Sequence, residues 1–166
     1  PEGTWGARQT FDISDGSRNP GGLAAGDLNG DGRTDLALLG RKVLYLIVHT
    51  EDGEFAPVKK VPASAEATGF LLAADLNGDG RLDLAYPVAQ QQRPLCFRLQ
   101  DETGEVGPER FAEVPPFRAA DSVHWAEGRR DYLAFILAAS GRLEVRRLQA
   151  AETSGSAAEG PTLWLY

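Results

Sequence analysis

The chain has 166 residues, with 24 acidic against 17 basic side chains, a formal net charge of -7, one cysteine and no methionine. At 42% hydrophobic and 25% charged it has the composition of an ordinary globular domain, which argues against disorder for its bulk. Its basic pairs, Arg129-Arg130 and Arg146-Arg147, are scattered, which argues against nucleic-acid or anionic-membrane binding, and a lone Cys96 excludes an internal disulfide or a thiolate metal cage.

A chain that starts at Pro1 and lacks methionine reads as a processed product or a piece of something longer. Its longest apolar run, Val43 to Val48, falls far short of the roughly 20 residues that span a bilayer, so no membrane insertion is expected. The first predicted element is a leading strand over Trp5 to Ile13. A short apolar strand then enters an acidic glycine-rich loop at 27–35, followed by strands over Asp35 to Leu39 and Val43 to His49. A turn at Asp52-Gly53 leads to a fourth strand over Phe55 to Val61.

The unit then repeats. Asp27, Asn29, Asp31 and Asp35 recur 48 positions on as Asp75, Asn77, Asp79 and Asp83, and the turn phrase Gly53-Glu54-Phe55 recurs as Gly104-Glu105-Val106. A further 48 positions reach a worn third copy, 123–131, where Val123 and Trp125 replace oxygen donors and Asp131 survives. Arg130 to Ala139 reads as a buried strand, and Pro161 to Tyr166 as the last strand of the third unit. Helical periodicity is absent from the sequence.

Four short strands per unit is the look of a β-propeller blade. The expected fold is therefore all-β: about three blades of four antiparallel strands plus a leading strand. The boundaries are 1–20 for that strand and a linker, and 21–67, 68–118 and 119–166 for the blades. A period of 48 divides the chain into about 3.5 units, short of the four to eight blades of closed propellers, so an open segment of a larger propeller is expected.

The pattern D-x-N-x-D-G-x-x-D places oxygen side chains at alternate positions of a coiling loop, with a glycine where the turn is sharpest. Calcium takes such an all-oxygen set, whereas zinc takes nitrogen or sulfur. Two Ca²⁺ sites are expected. The ligands of the first are Asp27, Asn29, Asp31, the Arg33 backbone carbonyl and Asp35; those of the second are Asp75, Asn77, Asp79, the Arg81 backbone carbonyl and Asp83. An EF-hand would need glutamate at the twelfth position, where Leu38 and Tyr86 stand. No calcium is expected between Val123 and Asp131.

These residues, Asp27 through Ala37 and Asp75 through Ala85, resemble the FG-GAP repeat family, also described as the VCBS type, of integrin α-chain propellers and many bacterial surface and secreted proteins. The resemblance implies that each loop joins the first two strands of a blade and holds one calcium. It also implies a non-enzymatic binding, adhesion or scaffold module of a secreted, periplasmic or surface protein. The expected partners are a protein or glycan ligand, and neighbouring blades or a self-associating copy.

The alternatives are the propeller part of a larger carbohydrate-active enzyme, or a lectin with Trp125 or Trp164 as a stacking platform. His49 and His124 lack a nucleophile and third member beside them, and read as structural. Cys96 reads as a small buried apolar residue, and tryptophans 5, 125 and 164 as packing between blades. Neither catalytic residues nor an Asn-x-Ser/Thr sequon is found.

Overall fold

Short runs of leucine, valine and alanine, broken by glycine, proline and aspartate, pair with their nearest neighbours in sequence and fold as successive hairpins. The computed structural model describes residues 8–13, 22–64, 69–89, 94–124 and 131–148, and among these every regular element is a β-strand. The first sheet holds β1 (Gly22–Gly26), β2 (Asp35–Gly40), β3 (Val43–Ile47) and β4 (Lys59–Pro62), antiparallel in that order. The second repeats the order with β5 (Leu72–Ala74), β6 (Asp83–Pro87), β7 (Leu95–Arg98) and β8 (Arg110–Ala112). The third has β9 (Phe117–Val123), β10 (Tyr132–Leu137) and β11 (Leu143–Arg146). The strand expected at its far edge, Pro161 to Tyr166, lies outside the described residues.

The first two sheets close their leading hairpin in the same register, Gly26 opposite Asp35 and Ala74 opposite Asp83, so each acidic loop caps the same end of its sheet. The first strands of successive sheets then pack in turn, β1 against β5 and β5 against β9. That contact is tight enough to demand glycine: a Cβ on Gly22 would lie 2.2 Å from the Leu71 nitrogen. Propeller-like blades, stacked through their leading strands, are the result.

Burial follows this stacking. Ala37, Leu39, Leu44 and Leu46 of the first sheet meet Leu84, Tyr86 and Cys96 of the second in one core. Ala74, Ala85 and Leu95 of the second meet Leu133 and Phe135 of the third in another. Strand β6 lies between the two, and Asp83 through Tyr86 are all buried; each leucine so placed is worth about 1.5–3 kcal/mol. Burial also pushes the Cys96 thiol up to about 11, which keeps it protonated, as a packing residue rather than a thiolate.

Two expected strands differ. The leading strand over Trp5 to Ile13 is not formed in its described part, 8–13. That segment attaches through side chains instead: the Phe11 ring meets Phe55 edge-on at 5.6 Å, and the Tyr45 hydroxyl donates to the Ile13 carbonyl at 3.2 Å. The fourth strand of the first blade begins at Lys59 rather than Phe55, with Phe55 held to His49 as an isolated bridge. Pro57, which has no N–H to offer a ladder, lies in the gap between them.

Candidate metal loops and the bonds that hold them

In both loops the fourth and sixth residues are glycines with left-handed backbone, Gly30 and Gly32 at φ 82° and 82°, Gly78 and Gly80 at 83° and 85°. Those two reversals coil the chain around its first aspartate. Asp27 Oδ1 accepts from the N–H of Gly30 at 2.6 Å and of Asp31 at 3.1 Å, while Oδ2 accepts from Gly32 at 2.8 Å. Asp75 does the same with Gly78 at 2.6 Å, Asp79 at 3.2 Å and Gly80 at 2.9 Å.

The alternate oxygen residues also meet. Asn29 Nδ2 donates to Asp31 Oδ2 at 2.8 Å, as Asn77 does to Asp79 at 2.7 Å. The guanidinium of Arg33 lies 2.5 Å from Asp31 Oδ2, and that of Arg81 2.5 Å from Asp79 Oδ2. Hydrogen bonds from the Arg33 N–H and from Asn29, with the Arg33 charge, outweigh desolvation and hold the Asp31 carboxyl below its ordinary value. Among the described residues no cluster of three or more His, Cys, Asp or Glu side chains stands ready-made for a metal ion. The donor chemistry still suits a hard cation, since carboxylates, an amide oxygen and the following carbonyl of Arg33 or Arg81 share one coiled loop. A cation there would compete with the arginine for its aspartate, and with the Asp31 or Asp79 N–H for the asparagine Oδ1.

The ninth-position aspartates do something the motif alone does not reveal. Asp35 and Asp83 are each 1% exposed, and both carboxylates bridge backbone amides from two segments. Asp35 accepts from Leu28 at 3.1 Å and His49 at 2.8 Å; Asp83 accepts from Leu76 at 2.9 Å and Gln100 at 2.9 Å. Each clamps the start of its loop to the segment just after the third strand, two residues past β3 or β7. Burial raises both pKa values, against these N–H bonds and helped by the neighbouring carboxylates, and pushes Asp83 up to about 6.

The clamp explains what survives in the worn third copy. Asp131 takes the Asp75 N–H on Oδ2 at 2.8 Å, and its own N–H donates to the Asp75 carbonyl at 2.8 Å. His124 Nδ1 lies 2.7 Å from the other oxygen. The third blade thus keeps its aspartate as a bolt onto the second loop, although Val123 holds no oxygen donor. Trp125, like Trp5 and Trp164, lies outside the described residues.

Two groups of residues were not anticipated. Gln100 touches both loops, through its backbone on Asp83 and through its side chain on the carbonyl of Asp27 at 3.4 Å. Arg98, Tyr86, Glu109 and Ser64 form a polar staple between the first two sheets. The only sequence signal for the staple is an arginine in an otherwise apolar strand, Leu95-Cys96-Phe97-Arg98. A groove of about 430 Å³ flanks the second loop, lined by Asn77, Asp79, Arg81, Asp101, Glu102 and Arg110 among others.

Repeated four-stranded sheets, each opening on a coiled acidic loop and stacked through their first strands, define a propeller-type repeat protein. Residues 27–86, from the first acidic loop through nearly all of β6, match the family model of the FG-GAP-like repeat. Over that stretch the chain is similar to FG-GAP-like repeats. No curated protein and no solved structure matches it.

Proposed function

We propose that this chain is a calcium-braced segment of a propeller, serving as a non-enzymatic binding or scaffold module of a secreted, periplasmic or surface protein. The observation that carries the reading is the loop built twice: the same glycine reversals, the same amides on the first aspartate, and the same buried ninth aspartate. A bound calcium ion would neutralise carboxylates that otherwise repel. Asp27, Asn29, Asp31 and the Arg33 carbonyl would hold it in the first blade, with Asp75, Asn77, Asp79 and the Arg81 carbonyl in the second. Asp35 and Asp83, whose oxygens already accept amide N–H bonds, would complete each set. A loop that surrounds its ion with protein oxygens leaves no open position for substrate, which favours bracing over catalysis.

Calcium at millimolar levels outside cells fits such sites, and the FG-GAP-like match supports a repeat module. The ligand would be a protein or glycan met by the loops at one end of the blades. Leu23 on β1, and Ile136 and Leu143 paired across β10 and β11, stay exposed. Neighbouring blades or a second copy would cover them.

Calorimetric titration of the chain with calcium is expected to give two sites. Asp31→Ala should remove one and Asp79→Ala the other, with the remaining site intact in each case. Heat from one site only, or none, would sink the assignment of both loops.

A further inference from the structure

Gln100 lies two residues beyond β7, in an isolated bridge with Val106, and is 2% exposed. Its backbone N–H belongs to its own blade, donating to Asp83 Oδ1 at 2.9 Å, while its carbonyl accepts from Arg81 Nε at 3.4 Å. Its side chain crosses to the other blade. Nε2 donates to the carbonyl of Asp27, the residue that opens the first loop. That bond fixes which way the amide faces, because the reverse would set two acceptors against each other.

Oε1 is then turned to the Gly30 side of the loop, 4.0 Å from where a Gly30 Cβ would stand. It is the one buried side-chain polar atom among the described residues that has no hydrogen-bond partner. A buried amide oxygen without a partner is uncommon, and an ion or an ion-held water is one of the few things that satisfies it.

A second contact comes from the same blade. The turn around Gly104 presses on the loop so closely that a Cβ there would lie 1.9 Å from the Asn29 carbonyl oxygen. The first loop therefore rests on the second blade at Asp27, Gly30 and Asn29. The tripeptide Arg98-Leu99-Gln100 recurs as Arg147-Leu148-Gln149 in the third unit, which follows the second loop, whereas the first unit has Ile47-Val48-His49. Gln149 itself lies outside the described residues.

We propose that the cation site at 27–35 is an inter-blade site: Gln100 of the second blade positions the loop through the Asp27 carbonyl and offers it the partnerless Oε1 as a further oxygen. This rests on the reading of the loops as calcium sites. It makes the first site's affinity depend on a residue some 65 positions beyond the loop in sequence, while the second site does not draw on that side chain.

The test isolates each site in turn. In an Asp79→Ala background only the first loop binds, and adding Gln100→Met, which keeps the length and apolar bulk of the side chain, should weaken calcium there roughly 10-fold or more, the size of effect that outer-shell partners of metal ligands exert. In an Asp31→Ala background only the second loop binds, and the same substitution should leave its affinity within about 2-fold, since its backbone N–H on Asp83 is unchanged. Gln100→Glu retains an oxygen but loses the donor to Asp27, so it separates the positioning bond from the oxygen. It should bind more weakly than the parent chain and more tightly than Gln100→Met. Urea unfolding of each variant confirms that it is folded when titrated. Equal affinities of the first loop with and without Gln100→Met would overturn the inter-blade site while leaving the calcium reading standing. Equal loss at both loops would assign Gln100 a general structural role and overturn it too. No calcium heat in either background would overturn the parent reading itself.

Discussion

Arg98→Met lowers the stability of the folded chain by about 3–5 kcal/mol in urea unfolding, the usual result of breaking a buried, hydrogen-bonded ion pair from one side. Arg98 is 6% exposed at the end of β7, and each of its guanidinium nitrogens has a partner. Nη2 donates to the Pro62 carbonyl of β4 at 2.5 Å, Nη1 to the Gly107 carbonyl at 2.8 Å, and Nε to the Tyr86 hydroxyl at 2.9 Å. Glu109 Oε1 lies 3.5 Å away as the counter-charge. The Tyr86 hydroxyl donates to that oxygen at 2.7 Å, and Glu109 also accepts from Ser64, through N–H at 2.6 Å and Oγ at 2.5 Å.

Pro62 ends β4 of the first sheet and Ser64 follows it; every other member belongs to the second blade. Methionine would fill much of the volume but leave two carbonyls and a phenol oxygen without donors and a half-buried carboxylate without its cation. Because it is a network, the pair should couple: the double variant with Glu109→Gln should cost less than the two single costs added, by about 0.5–3 kcal/mol. A cost below about 1 kcal/mol for Arg98→Met would mean that the apolar core alone joins the blades.

The same network has a pH signature. Burial would raise the Glu109 carboxyl, but bonds from Ser64 and Tyr86 and the Arg98 charge hold it below its ordinary value. Burial first, then Cys96 and Glu109, pushes the Tyr86 hydroxyl up, so it stays a donor. A carboxylate depressed in the fold stabilises above its unfolded pKa, and that contribution disappears as pH falls through the lower folded value. Acidification below about pH 4.5 should therefore weaken the parent chain more steeply than the Glu109→Gln variant, measured as unfolding midpoints across pH.

Much of this architecture was legible in the sequence, because a 48-residue repeat with turn residues at fixed places leaves few foldings open. Strands β2 and β3 were placed to within two residues, since alternating or continuous apolar runs bounded by glycine mark them clearly. The positions of the acidic loops followed from the same repeat. What could not be read was which oxygens face inward. D-x-N-x-D-G-x-x-D makes four side chains look alike, yet Asp35 and Asp83 are buried clamps while Asp31 and Asp79 stand at the surface with an arginine. That difference is set by the segment just after the third strand, whose His49 and Gln100 amides lie 14 and 17 residues further on. Inter-blade residues were invisible for a related reason: Gln100 and Arg98 act on segments 73 and 36 residues away, and no local pattern encodes a partner at that range.

Gly104→Ala is expected to cost about 3 kcal/mol or more, and its counterpart Gly53→Ala about 1–2, although the two glycines occupy the same turn. Gly53 has φ 84° and Gly104 φ 82°, and each N–H donates to the residue three positions back, Thr50 or Asp101, at 3.1 Å. Alanine in this left-handed conformation carries the same local penalty at both, roughly 1–2 kcal/mol. The surroundings differ. A Cβ on Gly53 would meet nothing within 4 Å among the described residues, whereas one on Gly104 would lie 1.9 Å from the Asn29 oxygen and 2.8 Å from its carbonyl carbon. Backbone cannot rotate aside as a side chain can, so relief requires the turn or the loop to move, and overpacking of that kind adds about 1–3 kcal/mol. The difference between the two variants in urea unfolding thus subtracts the turn and leaves the blade contact. If calcium binds as proposed, Gly104→Ala should also weaken the first site and spare the second, because the segment it displaces carries Asn29. Equal costs for the two substitutions would show that the blades separate at this turn without penalty, and the first loop would then be held by Gln100 alone.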